Sequence, residues 1–330
     1  MTSAHPSLLG RAGGASAAVL AFDIGGTKLA TAVVTRDGAA HGTLIEPTHR
    51  ELGWRSVIDR LFDMGRRTLK QAPTQDLTAV GIACGGPLDI RSGILISPAH
   101  LPGWHDVPIG PLATAEFGVP FALQNDATAA AMAEYRYGDG QGSSTMLYLT
   151  ISTGVGGGAV INGVPHLGAA GNGSEFGHVT VLRGGRLCSC GRRGCIEAYA
   201  SGTSIAARAR EAVAAGRASS LAALPEITAA DVSREAAAGD RLGREVWDET
   251  VDLLGTAVTD LVNAFEPERV VLGGGVTRAG AMLLDPIRRM VAREAMPPAS
   301  AVARISLAGL GELVGVVGAG VIGHELVGVE

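Results

Sequence analysis

The sequence predicts an α/β protein built as two related lobes. Three observations predict it. Strand and helix patterns alternate in both halves of the chain. The 330 residues exceed the ~250–300 at which a single hydrophobic core usually stops growing. Two similar hairpins recur, one per half, each with Thr and several Gly at its tip and apolar runs on both sides.

The first hairpin is AAVLAFDIGGTKLATAVVTRDGAA. An apolar run at Val19–Phe22 enters a Gly turn, a β-branched run at Leu29–Val34 leaves it, and Arg36-Asp37-Gly38 starts the next turn. Residues 56–70 carry Val57, Leu61, Met64 and Leu69 at helical spacing. LTAVGIACGGPLDI reads as a buried strand ending in a Gly-Gly-Pro loop. A short strand at 121–123 runs into Asn125-Asp126. ATAAAMAEYRYG is then a helix by propensity, closed by Gly138. STMLYLTISTGVGGGAVINGVPH is the second strand–turn–strand unit. Residues 197–215 read as one Ala-rich helix. Residues 241–265 carry Leu254, Val258, Leu261, Val262 and Phe265 on one helical face, and Pro267 ends that helix. A strand at 269–272 leads into Gly273-Gly274-Gly275 and a further helix. Residues 315–327 read as a Gly-rich buried helix.

Composition narrows the function. Apolar residues make up 46% and charged residues 18%, a globular balance. A net charge of -5 gives no basic footprint for nucleic acid. The most apolar stretch, 313–323, is far shorter than the ~20 residues a membrane helix needs, so no membrane partner is expected. The first residues lack an apolar h-region and read as a loose tail. Of the four cysteines, Cys188, Cys190 and Cys195 crowd into one Gly-rich segment. Thiols so close together suggest metal ligands in a reducing compartment, hence the cytoplasm.

Several motifs carry chemistry. In Asp23-Ile24-Gly25-Gly26-Thr27-Lys28, glycines at a hairpin tip let backbone N–H groups approach an anion. Thr27 adds a hydroxyl, Lys28 a positive charge, and Asp23 can hold Mg²⁺ through water. The Walker A spacing is absent, and a tight structural hairpin would use the same glycines. The second tip, with Thr153, Gly154, Gly156 and Gly157, could offer further N–H groups to a phosphate. The cluster Gly273-Gly274-Gly275 would permit close approach of a flat ring. Asn125 and Asp126 are good helix caps. Asp126 is also a candidate general base for a substrate hydroxyl, because phosphoryl transfer needs positioning more than early proton removal. His178 with Cys188, Cys190 and Cys195 forms a Cys₃His set, the composition of a closed structural zinc site. Glu175 and Glu197 flank it. Either could accept hydrogen bonds from sugar hydroxyls, cap a helix or sit in solvent. His178 could serve zinc with one ring nitrogen and a hydroxyl with the other.

Taken together these residues resemble the ROK family of repressors, open reading frames and sugar kinases. D-x-G-G-T-K is met at 23–28, the N-D pair at 125–126, E-x-G-H at 175–178 and C-x-C-G-x-x-G-C-x-E in full at 188–197. The resemblance covers nearly the whole chain after the first 17 or so residues. It implies the two-lobed actin-like (ribonuclease H-like) sugar kinase fold and dimers or tetramers of this chain. It implies ATP with Mg²⁺ on the Gly clusters and a hexose, most simply glucose, on Gly86, Asn125, Asp126, Glu175, His178 and Glu197. Asp126 would be the catalytic base. N-acetylglucosamine, N-acetylmannosamine or fructose are alternative acceptors, polyphosphate an alternative donor, and a sugar-sensing regulator an alternative class. The family's repressors add an N-terminal DNA-binding domain, for which a first strand near residue 18 leaves no room. The expected division is a tail at 1–17, a small lobe at 18–123 completed by the helix at 315–330, and a large lobe at 124–314 carrying the zinc loop at 178–195.

Two positions depart from the pattern. The segment 97–104, S-P-A-H-L-P-G-W, is similar to the S-P-N-L-P-G-W loop of the family's glucokinases, with His100 in place of Asn. Gly85-Gly86-Pro87-Leu88-Asp89 stands where P-G-x-x-D is common, after a Cys84 that reads as a small buried residue.

Overall fold

The computed structural model describes residues 17–72 and 76–328. Packing divides the chain into two compact units, residues 1–129 with 315–330, and residues 130–314. The division falls after Ala129, inside a helix, whereas the sequence expectation put it after residue 123. The expected tail, apart from Ala17, lies outside the described residues.

The first unit opens with β1 (Ala17–Ile24), β2 (Lys28–Thr35) and β3 (Ala40–Pro47), followed by α1 (Trp54–Gln71) and β4 (Asp76–Cys84). A small ribbon, β5 (Leu88–Asp89) with β6 (Ile94–Leu95), precedes α2 (Ile109–Phe117) and β7 (Phe121–Asn125). The sheet order is β3-β2-β1-β4-β7, with β1, β4 and β7 parallel. Parallel register aligns Ile24 with Cys84 and Cys84 with Asn125, so three strands end together on one edge. The α1 face at Val57, Leu61 and Met64 is buried. Leu69 is only partly covered. Thr68 takes the inward position instead and hydrogen-bonds Thr31 at 2.6 Å. Phe22, Phe62 and Phe117 pack as tilted and edge-on rings 5.5–6.1 Å apart.

Helix α3 (Asp126–Tyr137) leads into the second unit. There follow β8 (Thr145–Ile151), β9 (Val155–Ile161), β10 (Val164–Pro165), α4 (Glu197–Ala200), α5 (Gly202–Ala214), α6 (Ala229–Ala238), α7 (Arg241–Phe265), β11 (Arg269–Gly273), α8 (Ala281–Glu294), α9 (Pro297–Val302) and β12 (Arg304–Leu307). The order β10-β9-β8-β11-β12 repeats the scheme of the first sheet: an antiparallel hairpin extended by parallel strands. The chain then returns to the first unit as α10 (Val314–Val327). Its glycines let it lie directly on the strands. A Cβ at Gly320 would come within 2.4 Å of Val34, and one at Gly323 within 2.5 Å of Val19.

Two expectations need correction. The helix read over 197–215 is broken at Ser201, which is extended and caps α5 by accepting the Ser204 N–H. The Ala-rich composition hides this competing side-chain bond. The glycines at 273–275 lead first into a 3-10 turn, Gly275–Ala279, and only then into α8.

Candidate active site

In the first unit the turn after β1 is closed by Gly25 N–H donating to the Lys28 carbonyl at 2.9 Å. Thr48 holds it from outside: its N–H donates to Thr27 O and its hydroxyl to Gly25 O, at 3.0 and 2.7 Å. Thr27 and Lys28 stay exposed at the tip. Asp23 keeps some exposed surface, but its carboxyl end lies against Gly315, where a Cβ would sit 2.2 Å from Oδ2. Burial, and next the nearby Asp126 carboxylate, raise its pKa to about 7 against the pull of Lys28.

Asp126 is the residue immediately past the aligned edge, at the first position of α3. Asn125 provides the cap: its Oδ1 accepts the N–H groups of Ala127 and Thr128 at 2.9 and 3.2 Å. Among the described residues, Asp126 Oδ1 accepts the Ala127 N–H alone, at 2.8 Å. The pair thus divides its work, with Asn125 starting the helix and Asp126 half-buried at its positive end. Gly86 follows in the loop beyond β4, next to Gly85.

In the second unit the β8–β9 turn borders a cleft of about 740 Å³. Ser152, Thr153, Gly202, Thr203, Arg210, Thr228, Trp247, Gly275, Val276 and Arg278 are among its lining residues. Of the three glycines assigned to a nucleotide by sequence, Gly275 lines the cleft. Gly273 and Gly274 have packing roles: a Cβ would reach 2.3 Å from the Tyr148 hydroxyl at one and 2.5 Å from the Ile151 carbonyl at the other.

The turn carrying Glu175 and His178 is seated on the same hairpin. A Cβ at Gly177 would meet the Val155 carbonyl at 1.8 Å, and one at Gly157 the Ser174 carbonyl at 2.4 Å. Beyond it, the donor atoms of His178, Cys188, Cys190 and Cys195 all lie within 4.8 Å of one another. Cys190 Sγ is 3.7 Å from Cys195 Sγ, and Cys188 Sγ is 3.6 Å from His178 Nδ1. Tetrahedral Zn²⁺ with ~2.3 Å sulfur and ~2.0 Å nitrogen bonds gives edges of about 3.5–3.8 Å, so the donor set fits that ion. Gly191 and Gly194, both at positive φ, turn the loop. Arg192 donates to the His178 carbonyl and the Thr180 hydroxyl, fixing the turn that carries the histidine. His178 Nε2 points to Glu175 at 4.0 Å. Burial pushes the Cys188 thiol up to about 12, so a thiolate there needs a cation beside it.

The ROK family pattern matches residues 19–325. The chain belongs to the ROK family. A glucokinase of Halalkalibacterium halodurans is 35% identical over 305 residues, covering 90% of this chain and 92% of that protein. A glucokinase of Thermotoga maritima is 35% identical over 317 residues, covering 94% and 98%. The crystal structure of a ROK family glucokinase from Streptomyces griseus with glucose and AMPPNP superposes with a TM-score of 0.79 at 31% identity, covering 93% of this chain and 99% of that one. The two five-stranded sheets with their helices are therefore the actin-like fold of ROK sugar kinases.

Within this ROK chain, Asp23, Gly25–Lys28, Gly86, Asn125 and Asp126 belong to the first unit. Thr153, Gly154, Gly156, Gly157, Glu175, His178, Glu197, the three loop cysteines and Gly273–Gly275 belong to the second. Sequence reading missed Thr48, which braces the first turn, and the cleft residues Thr203, Arg210, Trp247 and Arg278. None of these carries a local motif. Each is brought in by tertiary packing.

Proposed function

We propose that this protein transfers the γ-phosphoryl group of ATP to a hexose, glucose in the first instance, at its 6-hydroxyl, with Asp126 as general base. The observation that carries this reading is the aligned strand edge. It sets the Asp126 carboxylate one residue beyond Asn125, in register with the strand end that opens the Gly25–Lys28 turn. Asn125 takes the capping duty, so a carboxylate oxygen of Asp126 remains available to a hydroxyl. The glucokinases of two bacteria and the glucose-bound structure support glucose as the acceptor.

In this reading Gly25, Gly26, Thr27 and Lys28, with Thr153, Gly154, Gly156 and Gly157, receive the phosphates. The cleft beside Gly275 receives the nucleoside. Asp23 would hold Mg²⁺, which would offset phosphate charge. Asn125, Glu175, His178, Glu197 and the Gly86 backbone hold the sugar hydroxyls. Asp126 orients the attacking hydroxyl and takes its proton as the phosphoryl group is transferred, a loose process in which positioning dominates. His178, Cys188, Cys190 and Cys195 would hold Zn²⁺ in a structural role, since four protein ligands would leave no open position.

The test is a panel of glucose, N-acetylglucosamine, N-acetylmannosamine and fructose, each with ATP and with polyphosphate. The expected result is highest kcat/KM for glucose with ATP. Asp126→Ala should lower kcat by roughly 10²–10⁴ while calorimetry still detects glucose. Near-normal turnover in that variant removes Asp126 from its role.

A further inference from the structure

Glu197 does more than flank the zinc loop. Its Oε1 accepts a hydrogen bond from the Ser189 hydroxyl at 2.9 Å, with Cys188 Sγ 3.5 Å away. Its Oε2 accepts the Val155 N–H at 3.0 Å, and a Cβ at Gly154 would lie 2.7 Å from that oxygen. One carboxylate therefore joins the metal loop to the tip of the β8–β9 hairpin. The residues that follow tighten the join. Gly202 N–H donates to Ser152 O at 2.7 Å, Thr203 Oγ1 to Thr153 O at 2.9 Å, and Ser204 Oγ back to the Glu197 carbonyl at 2.8 Å. Ser152 and Thr153 border the 740 Å³ cleft.

We propose that Ser189 is a positioning residue which, by fixing Glu197, makes the hexose carboxylate and the phosphate-binding turn move as one body. Both oxygens of Glu197 already have a donor, and each keeps acceptor capacity for a sugar hydroxyl. Without the Ser189 bond, Oε1 keeps only the weak 3.5 Å contact with Cys188 Sγ, and the carboxylate turns more readily. The rotation carries Oε2 off the Val155 N–H, and the hairpin tip loses one of its three ties. Loss of one hydrogen bond to a charged group typically shifts an equilibrium by roughly tenfold or more. Hexose and nucleotide binding are then linked through residue 189, although Ser189 contacts the nucleotide cleft at no point.

This inference rests on the kinase reading above. The test compares wild type, Ser189→Ala and Ser189→Thr as full-length zinc-containing protein. Glucose and a non-hydrolysable ATP analogue are each titrated alone by calorimetry, and zinc per chain is measured by elemental analysis. Ser189→Ala should bind both ligands roughly tenfold more weakly with zinc content unchanged, and Ser189→Thr should restore both affinities. The proposal is overturned if the Ala variant binds the analogue as wild type does, if it loses zinc, or if Thr fails to restore. A wild type that turns over no hexose with either donor defeats the kinase reading instead. An active wild type with an indifferent Ala variant defeats only the coupling.

Discussion

The imidazole of His100 lies directly on Gly85: a Cβ at that glycine would sit 2.1 Å from Cε1 and 2.7 Å from Nδ1. The same residue closes over the Gly25–Lys28 turn, where a Cβ at Gly26 would be 2.9 Å from its carbonyl oxygen. The two departures from the family pattern, His at 100 and Gly at 85, are thus one packing unit. Gly85→Ala should lower stability by about 1–3 kcal/mol through overpacking. His100→Asn in the same chain should recover most of it. Thermal unfolding of the two single variants and the double variant measures the coupling, and simple additivity would refute the pairing.

The chemical motifs were legible because each is continuous in sequence. The turn at 23–28, the Asn125-Asp126 pair and the loop at 188–197 place their functional atoms within a few residues of one another. The long helix α7 was legible for a similar reason, since its apolar stripe repeats locally and its buried Leu254, Val258 and Val262 follow it. Thr48 and the His100–Gly85 contact had no such signal. They bind segments distant in the chain, and a single Thr or His carries no periodicity. Gly273 and Gly274 show that one glycine can have two reasons to be there. Their tripeptide invites a ligand reading, and neighbouring β8 atoms, which leave no space for a side chain there, require glycine on packing grounds as well.

Asp23 ties stability to pH. Its pKa is raised from 3.8 to about 7, with burial the larger cause and Asp126 the next. The folded state therefore favours the protonated acid. That contribution is fully present below pH ~4 and is lost as pH rises through about 7, a change on the order of a few kcal/mol. Asp23→Asn should flatten this segment of the profile. Urea midpoints of ligand-free protein between pH 5 and 8 provide the check. A variant with the same slope as wild type would clear Asp23 of responsibility.

The loop at 188–195 predicts a metal-dependent sugar site. Cys190→Ser removes a thiolate whose sulfur lies 3.7 Å from Cys195. Zinc content should fall from one per chain towards zero. Glucose affinity should fall by about tenfold or more as His178 and Glu197 lose their anchor. Elemental analysis and calorimetry on the same preparation test both. Well-folded wild type without zinc would refute the structural-metal assignment.

Glu134 is fully buried in α3, and both its carboxylate oxygens accept backbone N–H groups. Oε2 accepts the N–H groups of Asp139 and Gly309, both at 3.0 Å, and Oε1 accepts that of Leu310 at 2.9 Å. A Cβ at Gly138 would meet Oε2 at 1.9 Å, so that glycine makes room for the arrangement. One carboxylate thereby holds the end of α3 to the segment that follows β12. Glu134→Gln keeps the shape but turns an NH₂ group towards at least one of these donors. A buried N–H left without an acceptor costs about 1–3 kcal/mol. Glu134→Gln should therefore destabilise by about 2 kcal/mol, and Glu134→Ala by more, since all three donors then lose their acceptor. Hydrogen exchange separates this from a general loss of stability. The amides of Gly309, Leu310 and Asp139 should lose protection first, while those of β8 and β11 keep theirs. Uniform loss across the unit would mean that Glu134 supports the core and not this junction.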